Sequence, residues 1–201
     1  GPGGPAVARA LRHLAEQELT QVYTVSMQTV AFCAANPNQF ARQLERNAKW
    51  LAEAQLDSGA WSYDMSRGGG DPSNSQFALL ALHECQRAGV KLPNDVWLRV
   101  FDRAREYWES QQNQDGSFSY LGSEKGRGSM TCAGVASLVI VGAQLDQLEA
   151  SVDGQTIRCC GNEQERESRI RRGLQWMARN FTVRGNPGYG TTYQLYYIYA
   201  L

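Results

Sequence analysis

Residues 50–63, "WLAEAQLDSGAWSY", and residues 107–120, "YWESQQNQDGSFSY", state one pattern twice. Trp50 answers Tyr107, Gln55 answers Gln112, Gly59 answers Gly116, Trp61 answers Phe118 and Tyr63 answers Tyr120, each pair 57 residues apart. Five matched positions in one register mark an internal repeat, whose units stack on one another to share a core. A weaker third copy lies in "WMARNFTVRG", where Trp176 and Gly185 keep the separation of Trp50 and Gly59. Each copy reads as the end of an outer helix followed by a glycine turn and a buried aromatic.

Outward from these turns, nearly every long segment reads as helix. "NQFARQLERNAKWLAEAQ" carries Phe40, Leu44, Ala48, Leu51 and Ala52 on one face at helical spacing. "PNDVWLRVFDRAREYWESQQ" lines up Val96, Val100 and Tyr107, with Asn94 or Asp95 as the expected N-cap. "SQFALLALHECQRAG" and "SMTCAGVASLVIVGAQL" are instead apolar around most of their circumference, and the first ends on Gly89 as a C-terminal cap. Helices apolar on all sides are buried on all sides. An Arg- and Glu-rich helix is expected over about 163–181, and an aromatic one from about 191. No alternating strand pattern competes. Amphipathic helices alternating with apolar ones predict an all-α fold, either a ring of inner helices sheathed by outer ones or a helical solenoid.

The chain has 201 residues, enough for one domain with a proper core, and residues 1–201 are read as that single domain. Twenty basic residues balance twenty acidic ones, and no basic run marks a nucleic-acid footprint. No apolar run is read as a transmembrane segment. The opening "GPGGPA" resembles a linker, and "TYQLYYIYAL" stops in mid-pattern at Leu201, as expected of a piece of a longer protein. The five cysteines are odd in number and form no C-x-x-C, so neither a disulfide framework nor a zinc ribbon is indicated. Cys33, Cys85 and Cys132 read as small core residues, and Cys159 and Cys160 fall in a polar loop.

An aromatic, an apolar stretch and then Q-x(2–5)-G-x-W/F at a helix end resembles the QW motif of squalene and oxidosqualene cyclases. Their α/α toroid is shared with protein prenyltransferase β subunits and complement-like thioester domains. The resemblance covers about residues 20–201. It implies a toroid, or part of one, built here from roughly four helix pairs. It also implies that Gln55 with Trp61, and Gln112 with Phe118, tie one helix end to the next hairpin around Gly59 and Gly116. The N-terminal "ALRHLAEQELTQVYTVSMQTVAF" fits a further hairpin without its G-x-W loop.

Residues 68–82, "GGGDPSNSQFALLAL", bear on activity. Asp71 followed by Pro72 is a helix-start signal. In class II terpene cyclases a D-x-D-D-T-A motif opens an inner helix, and its middle Asp is the acid. Laid on that motif, Asp71 takes the first position, Ser73 the acid position and Asn74 the last. A serine hydroxyl cannot protonate an alkene, so the usual cyclase chemistry is disfavoured. Zinc prenyl transfer would need Asp, Cys and His together. Cys132 stands at the thiolate position, but Met130 takes that of the Asp, and the only histidines are His13 and His83. No metal and no cofactor are expected. "CCGNEQ", 159–164, resembles a thioester motif but spaces its Cys160 and Gln164 too widely.

The resemblance therefore implies a cyclase-like domain that binds an apolar, isoprenoid-like molecule or a protein partner. Its candidate ligand-binding residues are Asp71, Ser73, Asn74, Gln76, Met130 and Tyr193. Two alternatives are a divergent terpenoid cyclase using Asp71 or a residue outside this piece, and a non-catalytic interaction scaffold. A carbohydrate-active toroid would need carboxylates paired across a cleft, whereas Asp57, Asp64 and Asp71 share one loop.

Overall fold

Hydrophobicity in this chain changes from helix to helix, and the packing follows it. The computed structural model describes residues 4–65, 68–122, 125–149, 151–153, 156–158 and 163–201. Its helices are α1 (Pro5–Ala15), α2 (Val22–Ala35), α3 (Ala41–Glu53), α4 (Pro72–Arg87), α5 (Asn94–Ser110), α6 (Gly128–Glu149), α7 (Glu163–Asn180) and α8 (Gln194–Ala200). α2 packs on α4, α4 on α6 and α6 on α8. α3 lies against α2 and α4, while α5 and α7 lie against α6. The apolar helices thus form an inner row, and the amphipathic ones cover it.

On α3 the expected stripe is the buried one: Leu44, Ala48, Leu51 and Ala52 face inward, with Phe40 just ahead of them. α5 buries Trp97, Val100, Phe101, Ala104, Tyr107 and Trp108. α4 buries residues around most of its surface from Pro72 to Cys85. It stops at Gly89, whose positive φ of 78° lets Val90 N–H reach the Cys85 carbonyl and Gly89 N–H reach that of Gln86.

The two repeat turns are built alike, bond for bond. Gln55 Nε2 donates to the carbonyls of Gly59 and Val100, and Gln112 Nε2 to those of Gly116 and Arg169. Each glutamine therefore spans from its own turn to the following outer helix, α5 or α7. Gly59 and Gly116 have φ of 85° and 91°, and a Cβ on either would overlap a backbone carbonyl of that helix, Arg103 or Arg172. Trp61 N–H donates to Ser75 Oγ and Phe118 N–H to Thr131 Oγ1, pinning each aromatic to the inner helix that follows it. Both rings are fully buried, and Trp61 Nε1 donates to the Leu51 carbonyl at 2.7 Å.

Three expectations are corrected. α5 has no side-chain cap: its N-cap is Pro93, and Asn94 already lies in the first turn. A short antiparallel pair, β1 (Ser151–Asp153) and β2 (Thr156–Arg158), follows α6, each strand too brief for an alternating pattern to show. In the third copy the left-handed glycines are Gly188 and Gly190, not Gly185, because the turn closes later, with Asn186 N–H donating to Gly190 O. Among the described residues one helix, Gly128–Leu148, is long and apolar enough to cross a membrane. Within that helix, 72% of the apolar window is buried in the fold, which marks it as the core helix. Cys159 and Cys160, and with them the thioester-like stretch, lie outside the described residues.

Candidate functional site

α4 and α6 both begin where a repeat turn delivers the chain to the inner row. Asp71 is the N-cap of α4, its side chain accepting from Asn74 N–H at 2.8 Å, with Pro72 as the first helical residue. The same oxygen, Oδ1, accepts from Ser73 Oγ at 2.6 Å and Asn74 Nδ2 at 3.0 Å. The other oxygen accepts from the Tyr120 hydroxyl, which arrives from the second repeat turn. Burial works to raise the Asp71 carboxyl, but the bonds from Ser73, Tyr120 and Asn74 outweigh it and hold the group below the usual carboxylate range. At neutral pH this is a carboxylate, an acceptor with every near donor engaged. It caps a helix and also joins two repeats.

Arg127 holds in the second repeat the place that Asp71 holds in the first. Its N–H donates to the Phe118 carbonyl as that of Asp71 donates to Trp61, and it heads α6 as Asp71 heads α4. Its guanidinium lies 3.7 Å over the Tyr189 ring and 5.5 Å from the Tyr120 ring, close enough for cation–π attraction.

Between these helix starts and the approach to α8 is a cavity of about 390 Å³. Six tyrosines line it: Tyr23, Tyr63, Tyr120, Tyr189, Tyr193 and Tyr196, together with Ser73, Leu121, Arg127, Ser129 and Met130. That volume lies in the range of small-molecule sites. Tyr193 has a left-handed φ of 54° as N-cap of α8, and its ring stacks on Tyr189. A non-glycine residue in that region is strained, a condition that gathers at binding sites. The Tyr196 hydroxyl donates to Gln76 Oε1. Burial, then neighbouring charge, raises the phenols of Tyr23 and Tyr196, and burial with the bond to Asp71 raises that of Tyr120. These three phenols stay neutral at physiological pH.

Of the residues singled out in the sequence, Ser73, Met130 and Tyr193 come together on the cavity wall. Asp71, Asn74 and Gln76 stand behind it: Asn74 is fully buried, and Gln76 anchors Tyr196. Tyr23 and Arg127 were not singled out. Arg127 stands 56 residues after Asp71, one short of the 57-residue repeat, so the repeat points to the head of the next inner helix only to within one residue. Tyr23 carries no such signal; its place on the wall depends on α2 packing against α4, with its ring 4.6 Å from that of Phe77.

His83 Nδ1 is 2.8 Å from Gln144 Nε2, and burial lowers its pKa. Burial raises the Cys132 thiol to about 11. Among the described residues no three His, Cys, Asp or Glu side chains group to hold a metal ion. No protein-family model, curated protein or solved structure matches this chain.

Proposed function

We propose that this chain is a non-catalytic domain of the squalene-cyclase and prenyltransferase-like toroid type, or part of one, that binds an apolar, unsaturated small molecule of isoprenoid character. The observation that carries this reading is the wall of six tyrosine rings and Met130 around one cavity. Ring faces and a thioether give a flat, polarisable surface to alkenes, while phenol hydroxyls tied to Asp71 and Gln76 are withdrawn from the ligand. An inner row of neighbouring helices under an outer layer, with a repeated glutamine turn, supports the toroid part of the reading. Against proton-initiated cyclisation stand the serine at the acid position and the ionised state of Asp71, since a carboxylate held below its usual range has no proton to give.

Titration of the full chain with farnesol, followed by intrinsic fluorescence and by calorimetry, tests the proposal. Saturable binding is expected, and Met130→Trp and Ser73→Phe, which fill the cavity from two different helices, should each abolish it while circular dichroism stays unchanged. Leu195→Ala, at a position 84% exposed and outside the cavity, should bind as the parent does. Binding that survives both filling variants overturns the assignment of the site. Absence of saturable binding to the parent overturns the ligand class.

A further inference from the structure

One residue on the cavity wall has the wrong sign for its place in the fold. The positive end of a helix favours an acidic side chain, and the first repeat obeys: Asp71 stands at the start of α4 and accepts from Asn74 N–H. The second repeat puts Arg127 at the start of α6, where its carbonyl accepts the first helical bond, from Thr131 N–H at 2.8 Å. A cation there adds to the positive field of a helix 22 residues long instead of offsetting it. Arg127 is also only 8% exposed, so burial removes much of the water that would stabilise its charge. A local rule broken at a cavity wall points to function.

The neighbours of the guanidinium fit an anion beside it. Its flat side lies 3.7 Å from the Tyr189 ring centroid and 5.5 Å from that of Tyr120. Ring faces meet the flat of a guanidinium, whereas a carboxylate is met by its edge, so the two contacts are compatible. Ser129, in the first turn of α6 and on the same wall, accepts from Asn186 Nδ2 at 3.0 Å, a bond that does not use its own hydroxyl hydrogen. Among the described residues of the wall, Arg127 is the one arginine, and no lysine, histidine or carboxylate joins it. The Asp71 carboxylate stands behind the wall, served by Ser73, Asn74 and Tyr120.

We infer that the ligand of this cavity ends in a carboxylate, as an isoprenoid acid does, and that Arg127 selects it; the inference rests on the tyrosine-lined cavity being the isoprenoid site proposed above. The carboxylate takes paired N–H donors from the guanidinium at the positive end of α6, with the Ser129 hydroxyl as a further donor. The chain then runs along the tyrosine rings. One buried arginine balances one negative charge, whereas a diphosphate would bring several to a wall whose described residues include no second cation.

Calorimetric titration of the full chain at neutral pH with farnesoate and with methyl farnesoate, which share a chain and differ in charge, tests the inference. Farnesoate is expected to bind about tenfold tighter, the effect of a hydrogen bond to a charged group. Acetate, the head without the chain, should neither bind saturably nor displace farnesoate. Arg127→Gln should remove the preference, and Arg127→Lys, which keeps the charge without the fork, should keep part of it. Equal affinities in the parent overturn the inference whatever the variants do, and so does a preference that survives in folded Arg127→Gln. Saturable binding of acetate overturns the isoprenoid acid in favour of a small anion, and tighter binding of farnesyl diphosphate than of farnesoate overturns the single charge. Methyl farnesoate and farnesoate binding alike leaves the apolar-ligand reading in place while removing this one; no binding of either removes both.

Discussion

Gly59 and Gly89 both adopt positive φ, at 85° and 78°, but only Gly59 has a neighbour where a Cβ would go. Substituting alanine at each separates the cost of backbone conformation from the cost of close approach. At Gly89 nothing lies within 4 Å, so Gly89→Ala carries only the left-handed penalty. That penalty is about 1–2 kcal/mol, partly offset by the reduced freedom of the unfolded chain, leaving about 1 kcal/mol. Gly59→Ala carries the same penalty and also drives a methyl into the Arg103 carbonyl, with Tyr107 Cβ at 3.2 Å behind it. The turn must lift off α5, which breaks the bond from Gln55 to Val100, worth about 1 kcal/mol net, and opens the packing beneath. A total loss of about 3 kcal/mol is expected for Gly59→Ala against about 1 for Gly89→Ala. Equilibrium urea unfolding, read by tryptophan fluorescence, measures both. Equal losses would refute the claim that the turn is seated on the neighbouring helix.

The buried repeat aromatics give a second prediction: Trp61→Ala and Phe118→Ala, each fully buried, should cost about 3–5 kcal/mol in the same assay. A loss under about 1 kcal/mol at either position would remove the aromatic from the core. Asp71 predicts a pH dependence. Its folded pKa is depressed, so its contribution is complete above the unfolded carboxylate pKa near 3.9 and is lost as pH falls through the lower folded value. Asp71→Asn should therefore be less stable than the parent at neutral pH, and the gap should narrow below about pH 4. A gap independent of pH down to acid unfolding would assign the loss to packing alone. The chain with Tyr120→Phe should show a smaller acid-dependent loss, since one of the bonds holding Asp71 ionised is gone.

The helices were legible because the signal is local. The α3 stripe and the apolar circumference of α4 follow from spacing along one segment, and Asp71–Pro72 is a start signal in two letters. The turn at 55–61 was legible because it occurs twice. What escaped the reading depends on chain segments far apart. Tyr23 becomes a neighbour of Tyr63, Tyr120 and Tyr196 only when α2, α4, α6 and α8 pack in order. Tyr63 and Tyr120 share a repeat position, which marks them as a pair without revealing what they face. The N-cap of α5 failed for a different reason. Asn94 and Asp95 are both good caps, but extended Pro93, with ψ of 142°, sets the helix start one residue earlier.

The two glutamine turns impose an order of assembly. Gln55 completes its bonds only when Val100, 45 residues later, is in place, and Gln112 waits 57 residues for Arg169. During synthesis from the amino end, each newly made turn is therefore unfinished until the following outer helix has left the ribosome and docked. Truncation of α7 ahead of Arg169 would leave Gln112 without that partner while the Gln55 turn keeps its own bond to Val100.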